Sequence, residues 1–174
     1  MKTLKYHVAS TVDGFIAAPD GTFDAFLAEG EHATDYLDAF RGYDVVLMGR
    51  KTYEVGLKYN VTSPYPTMRQ IVFSRSMKAS PDPQVEIVAD DVSSFVRKLK
   101  EGEGKAIYLC GGGELASLLL AEGLIDEVVI KLNPVLLGTG IPLFGPHIPR
   151  ASLELASSKT YRNGVVLLRY LVTR

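Results

Sequence analysis

The chain has 174 residues, 47% of them hydrophobic and 22% charged, with 19 basic against 20 acidic side chains and a formal charge of -1. That balance suits a globular chain with room for a core, and without a long run of Lys or Arg it argues against nucleic acid as a partner. A single cysteine, Cys110, excludes an internal disulfide framework, leaves too few soft ligands for zinc and points to a reducing compartment.

Met1 leads directly into an alternating segment, KTLKYHVAS, rather than into the basic and apolar regions of a secretion signal. No stretch approaches the ~18 apolar residues of a membrane span. The expectation is a soluble, cytoplasmic protein without a metal, since His7, His32 and His147 are scattered along the chain.

Residues 4–10 alternate as a first strand and run into a loop through Asp13-Gly14 and Asp20-Gly21. Ala33, Tyr36, Leu37 and Phe40 fall at helical spacing, with Gly42 as the stop. YDVVLMG, 43–49, is short, apolar and valine-rich, which suits a buried strand, and 50–57 continues as a helix. A loop over 59–66 precedes two strands, RQIVFS and QVEIVA, and then a helix over 93–100 with Asp90 or Asp91 as its N-cap. AIYLC is a buried strand, GGG a sharp turn, and 114–121 a helix closed by Gly123. EVVIKL is a further strand, and 133–149, rich in Gly and Pro, reads as one long loop. Two closing runs flank Arg162-Asn163-Gly164, a strong hairpin signal. The alternation predicts an α/β fold in one domain over 1–174, with a mainly parallel central sheet, flanking helices and a C-terminal antiparallel hairpin.

Three of these strands end in segments suited to anions. VVLMGRKTY places Gly49, Arg50, Lys51 and Thr52 at the start of a helix, where free N–H groups and the dipole favour negative charge. YLCGGGELASLLL places Gly111, Gly112 and Gly113 where a backbone without side chains can approach a pyrophosphate. VFSRS offers the hydroxyl of Ser74 and the guanidinium fork of Arg75. Each segment alone is equally well a tight βα turn or a solvated basic loop; their recurrence at strand ends is what points to a ligand, because parallel sheets bind ligands beyond the carboxyl ends of their strands.

In that order, MGRKTY, the SR pair and GGG resemble the cofactor-binding set of the dihydrofolate reductase superfamily. STVDGFIA and GLIDEVVIKLNPVLLGTGIPLF narrow the likeness to the riboflavin-biosynthesis reductases, the RibD C-terminal domain type, over nearly the whole chain. The resemblance implies NADPH as cofactor, its phosphates held by Gly49, Arg50, Lys51 and Thr52 and its 2'-phosphate by Ser74 and Arg75. It further implies that Gly111, Gly112 and Gly113 lie against the pyrophosphate, with a cis peptide between the first two, and that Ala9, Ile16 and Ala17 flank the nicotinamide. Asp13 and Glu127 are the candidate substrate contacts, and the expected cleft lies between them. A homodimer is implied as well.

The departures direct the choice of substrate. The chain has no Trp, and none of Asp24, Glu31 and Asp35 stands out as the carboxylate that a folate reductase carries on its first helix. The zinc-bearing deaminase half of the riboflavin enzymes has no counterpart in these residues, so the resemblance implies a stand-alone reductase. The expected reaction is hydride transfer to a small heterocyclic or ribosylamino-pyrimidine substrate. Dihydrofolate reduction is the alternative within enzymes, and a non-catalytic nucleotide-binding protein the alternative outside them.

Overall fold

The computed structural model describes residues 1–173. Its elements follow in order as β1 (Leu4–Thr11), β2 (Phe15–Ala17), α1 (Glu31–Ala39), β3 (Tyr43–Gly49), α2 (Arg50–Lys58), β4 (Arg69–Phe73), β5 (Val85–Val88) and α3 (Val92–Glu101). The chain continues with β6 (Ala106–Gly111), α4 (Gly113–Ala121), β7 (Glu127–Asn133), β8 (Ile141–Pro142), β9 (Ser152–Thr160) and β10 (Val166–Thr173). Eight strands form one sheet in the order β5-β4-β3-β6-β1-β7-β10-β9, while β2 and β8 pair separately. All the pairings from β5 across to β7 are parallel; β10 runs antiparallel to both β7 and β9. The sheet is therefore mainly parallel, with the hairpin added at one edge.

Strand alternation splits the core into two layers. On one face Leu4, Tyr6, Val45, Leu47, Ile107 and Leu109 pack with Val96 of α3 and with Leu115, Ala116, Leu119 and Leu120 of α4. On the other, Val46, Met48 and Tyr108 pack with Tyr53 and Leu57 of α2 and with Phe40 at the end of α1. Continuous apolar runs such as VVLM are required for this, because a central parallel strand is covered on both sides.

Helix α1 departs from the expected apolar face. Leu37 is 63% exposed, whereas His32 is the buried residue of the helix and Tyr36 packs edge-on against Phe40. Asp91, with φ 47, caps α3 by accepting the N–H of Ser94 at 3.2 Å. The segment 133–149 contains β8, so the loop expected there is partly a sheet. Its Leu143 and Phe144 fold back onto the chain's own core.

Candidate active site

The chain leaves β3 through α2 to reach β4 on one side, and leaves β6 through α4 to reach β7 beyond β1 on the other. The connections diverge between the neighbours β3 and β6, and the two helices lie on opposite faces of the sheet. A divergence of this kind opens a crevice at the carboxyl ends of the strands. Here the crevice is flanked by two helix N-termini, capped by Gly49 and Gly112, neither with a side chain bonded to its first turn. The first-turn N–H groups are thus available to an anion.

The two helix starts lie close together. A Cβ at Gly49 would stand 3.6 Å from the Gly112 nitrogen, and one at Gly112 would stand 3.4 Å from the Thr52 hydroxyl. Gly111 has φ 127 and is joined to Gly112 by a cis peptide. Gly113 is packed more tightly than Gly49 or Gly112, since a Cβ there would meet the Pro142 carbonyl at 2.5 Å. Arg50 bonds Glu54 one turn along at 3.1 Å, and Lys51 is exposed. One strand further out, Ser74 is buried and accepts the Met77 N–H at 2.9 Å, while Arg75 is exposed and makes no ion pair among the described residues. The structure thus brings Gly49, Thr52, Gly111, Gly112 and Gly113 together, with Ser74 and Arg75 at the end of the adjacent strand.

The Asp13-Gly14 loop and the 134–140 segment are laced into one wall. Asp13 accepts the hydroxyl of Thr11 at 2.6 Å and the N–H groups of Leu137 and Gly138 at 3.1 and 2.7 Å. Those bonds, the Thr11 hydroxyl first, hold its carboxyl below the usual carboxylate range. Phe15 and Ala17 of β2 pair with Pro142 and Ile141, and Ile16 lies half-buried between them. Ala9 lies beside Lys131 across β1 and β7.

Glu127 does not share this cleft. It pairs with Lys5 at the entering end of β7, six residues before the Thr11 and Asn133 pair, so roughly 20 Å of strand separates it from the Asp13 loop. Its carboxylate meets Arg169 at 2.7 and 2.8 Å and Lys5 at 3.3 Å. Burial acts to raise its pKa, yet the two cations outweigh burial and hold the group ionised. A cleft bounded by Asp13 and Glu127 is therefore not formed, because a motif shared by one strand can span both ends of the sheet.

Sequence reasoning missed a second group of residues. A cavity of about 30 Å³ between α1 and the sheet is lined by His7, His32, Asp35, Tyr36, Lys131 and Tyr161, among others. His32 is 2% exposed, and among the described residues neither ring nitrogen makes a hydrogen bond of good geometry. Burial first, and then the Lys131 charge, lower its pKa, and the Glu29 backbone offsets this only in part. Asp35 accepts Lys159 at 2.6 Å and the Tyr161 hydroxyl at 2.7 Å, and these bonds lower its pKa. Burial and the Lys5 charge push His7 down to about 4, so it is neutral at pH 7. The Lys131 ammonium donates to the Leu27 carbonyl at 2.7 Å, while the Asn133 side chain accepts the Leu27 N–H at 3.2 Å. The four-residue spacing of His32 and Tyr36 was the available signal that these two share a face of α1.

Among the described residues no helix is long and apolar enough to cross a membrane. The family model of the RibD C-terminal domain matches residues 2–167. The chain is 35% identical over 167 residues to the YwjB protein of Bacillus subtilis, whose role is uncharacterized, covering 95% of each. A solved structure assigned to riboflavin biosynthesis from Shewanella sp. PV-4 superimposes with a TM-score of 0.84 at 27% identity, over the whole of both chains. The deaminase/5-amino-6-(5-phosphoribosylamino)uracil reductase of Thermotoga maritima shares the fold with a TM-score of 0.73 at 21% identity, over 99% of this chain and 57% of that one. With the same dihydrofolate reductase-like sheet and a match from one end of the fold to the other, the chain belongs to the RibD C-terminal domain family.

Proposed function

We propose that residues 1–174 act as one NADPH-dependent reductase domain, transferring a hydride to a C=N or C=O bond of a small heterocyclic substrate. The specific reading is a ribosylamino-pyrimidine of the kind named for the Thermotoga maritima relative. The observation that carries it is the convergence of two helix N-termini without side-chain caps at the crevice between β3 and β6, where Gly49 and Gly112 leave the backbone open to a ligand. A phosphate chain fits such a cradle, being anionic, thin and able to accept several backbone N–H bonds.

When bound, NADPH supplies the hydride. Gly49, Arg50, Lys51 and Thr52 would hold its phosphates from α2, and Gly111, Gly112 and Gly113 from α4. Ser74 and Arg75 would receive the 2'-phosphate. Ala9, Ile16 and Ala17 would flank the nicotinamide and keep water from it. Asp13 contributes by tying down the wall of the cleft, and Glu127 has no part in the reaction. Dihydrofolate is disfavoured, because Asp35, the carboxylate of α1 at the cavity, is already engaged by Lys159 and Tyr161.

The test is thermal denaturation with NADPH, with NADH and without ligand, followed by loss of nicotinamide absorbance on adding the ribosylamino-pyrimidine phosphate or dihydrofolate. NADPH should stabilise more than NADH; equal shifts, or none, count against the reading. A homodimer is part of the same proposal, supported by the exposed Leu153 and Leu155 on β9 at the sheet edge. Light scattering that returned only the 19.0 kDa monomer mass would overturn it.

A further inference from the structure

We propose that the cavity between α1 and the sheet receives the hydrogen-bond-accepting edge of a neutral or anionic planar ligand, a carbonyl or carboxylate meeting Lys131 and His32, and refuses a cationic amidine-like edge. This deepens the reductase reading, resting on it only for the place of the cofactor beside Ala9.

Charge on the lining decides the class of ligand. From β7 comes Lys131, whose ammonium spends one donor on the Leu27 carbonyl and has two more to give. From α1 comes Asp35, whose charge is met by Lys159 and whose oxygen also accepts Tyr161. From β1 comes His7, neutral and already placed 3.2 Å from the Tyr43 hydroxyl. From α1 again come His32 and Tyr36, the latter hydroxyl shared with Tyr108 at 2.8 Å. Lys131 is thus the one lining charge without a counter-charge among the described residues. A ligand oxygen placed against it relieves a half-buried cation, whereas a ligand cation would add a second charge of the same sign.

His32 supplies the independent indication. A buried imidazole whose nitrogens make no hydrogen bond of good geometry among the described residues is costly, and a ligand oxygen accepting the ring N–H would lower that cost. The two nitrogens point away from one another, so a ligand oxygen reaches one of them and accepts its N–H. The cavity, about 30 Å³, accommodates one such polar group and no more. The body of the ligand must then lie outside it, and the register of β1 and β7 sets Ala9 directly beside Lys131.

The experiment uses three planar probes of the same shape on the purified chain, with and without NADP+: benzoate, neutral benzamide and cationic benzamidine. Benzoate and benzamide should bind and shift the histidine side-chain resonances assigned to His32 through a His32→Gln variant, while benzamidine should do neither. Lys131→Met should weaken benzoate at least about tenfold, the scale of one charge-assisted hydrogen bond. Benzamidine binding as well as benzoate, binding of neither, an unmoved His32 signal, or an indifferent Lys131→Met variant would each overturn the proposal. The comparison of probes on the unaltered chain does not depend on how the variants fold. If nicotinamide cofactors fail to stabilise the protein, the reductase reading falls while the probe contrast still decides this one.

Discussion

Arg169 on β10 grips Glu127 on β7 through two hydrogen bonds of 2.7 and 2.8 Å, with Lys5 of β1 completing the cluster across three strands. Glu127→Gln should therefore cost stability and leave cofactor binding untouched. The pair lies between exposed and buried, since the Glu127 side chain is 8% exposed and that of Arg169 42%, so about 1 to 2 kcal/mol is expected. Because the folded pKa is depressed, this stabilisation is present above the ordinary carboxylate pKa and is lost as pH falls through the folded value. Thermal denaturation of both proteins should show the difference at neutral pH and its disappearance in acid.

Gly112→Ala and Gly113→Ala should separate binding from folding. At Gly112 a methyl group meets only the Thr52 hydroxyl at 3.4 Å, an ordinary contact, so the fold should persist. NADPH and NADH should both weaken, by roughly tenfold or about 1.4 kcal/mol. At Gly113 the methyl would strike the Pro142 carbonyl, a backbone atom that cannot swing away, and a loss of about 1 to 3 kcal/mol is expected. A Gly112 variant with unchanged cofactor affinity would show that this glycine turn does not hold the cofactor.

How much of this could be read beforehand depended on the length of the signal. β3 and β6, with their apolar runs and terminal glycines, were legible, and so was the hairpin around Asn163-Gly164. β2 and β8 were not, because three and two residues carry no period and exist only through their mutual pairing. The Asp126-Glu127 step was recognised as a motif but set at the wrong end of the sheet. His32 was passed over because a lone histidine in a polar segment gives no sign of burial; only docking α1 against β7 and Tyr161 creates its surroundings.

Asp13→Ala should release the cleft wall without disturbing the core. Hydrogen exchange at the Leu137 and Gly138 amides should accelerate, while amides of β3 and β6 keep their protection. In the unaltered protein, protection of these two amides should survive acidification through the usual carboxylate range and fail only below the depressed pKa of Asp13. Unchanged exchange in the variant would show that the wall is held by the β2 and β8 pairing alone.

Arg75→Ala should narrow the preference for NADPH over NADH. The guanidinium is exposed and makes no ion pair among the described residues, so its removal should leave the stability of the free protein within about 0.5 kcal/mol of the original. Affinity for NADPH should fall by roughly tenfold and that for NADH hardly at all, as measured by quenching of protein fluorescence. An equal fall for both would place Arg75 elsewhere than at the extra phosphate.

The division of the core into two layers also governs where this chain can change length. Val45 and Leu47 serve the layer beneath α3 and α4, Val46 and Met48 the layer beneath α2, with no solvent-facing side to absorb a mistake. One residue added or removed within β3 would exchange the two sets and displace Gly49 from its place against Gly112. Growth and shrinkage of related sequences must then fall in segments such as 59–66 and 145–151, outside the strands that bring the two glycines together.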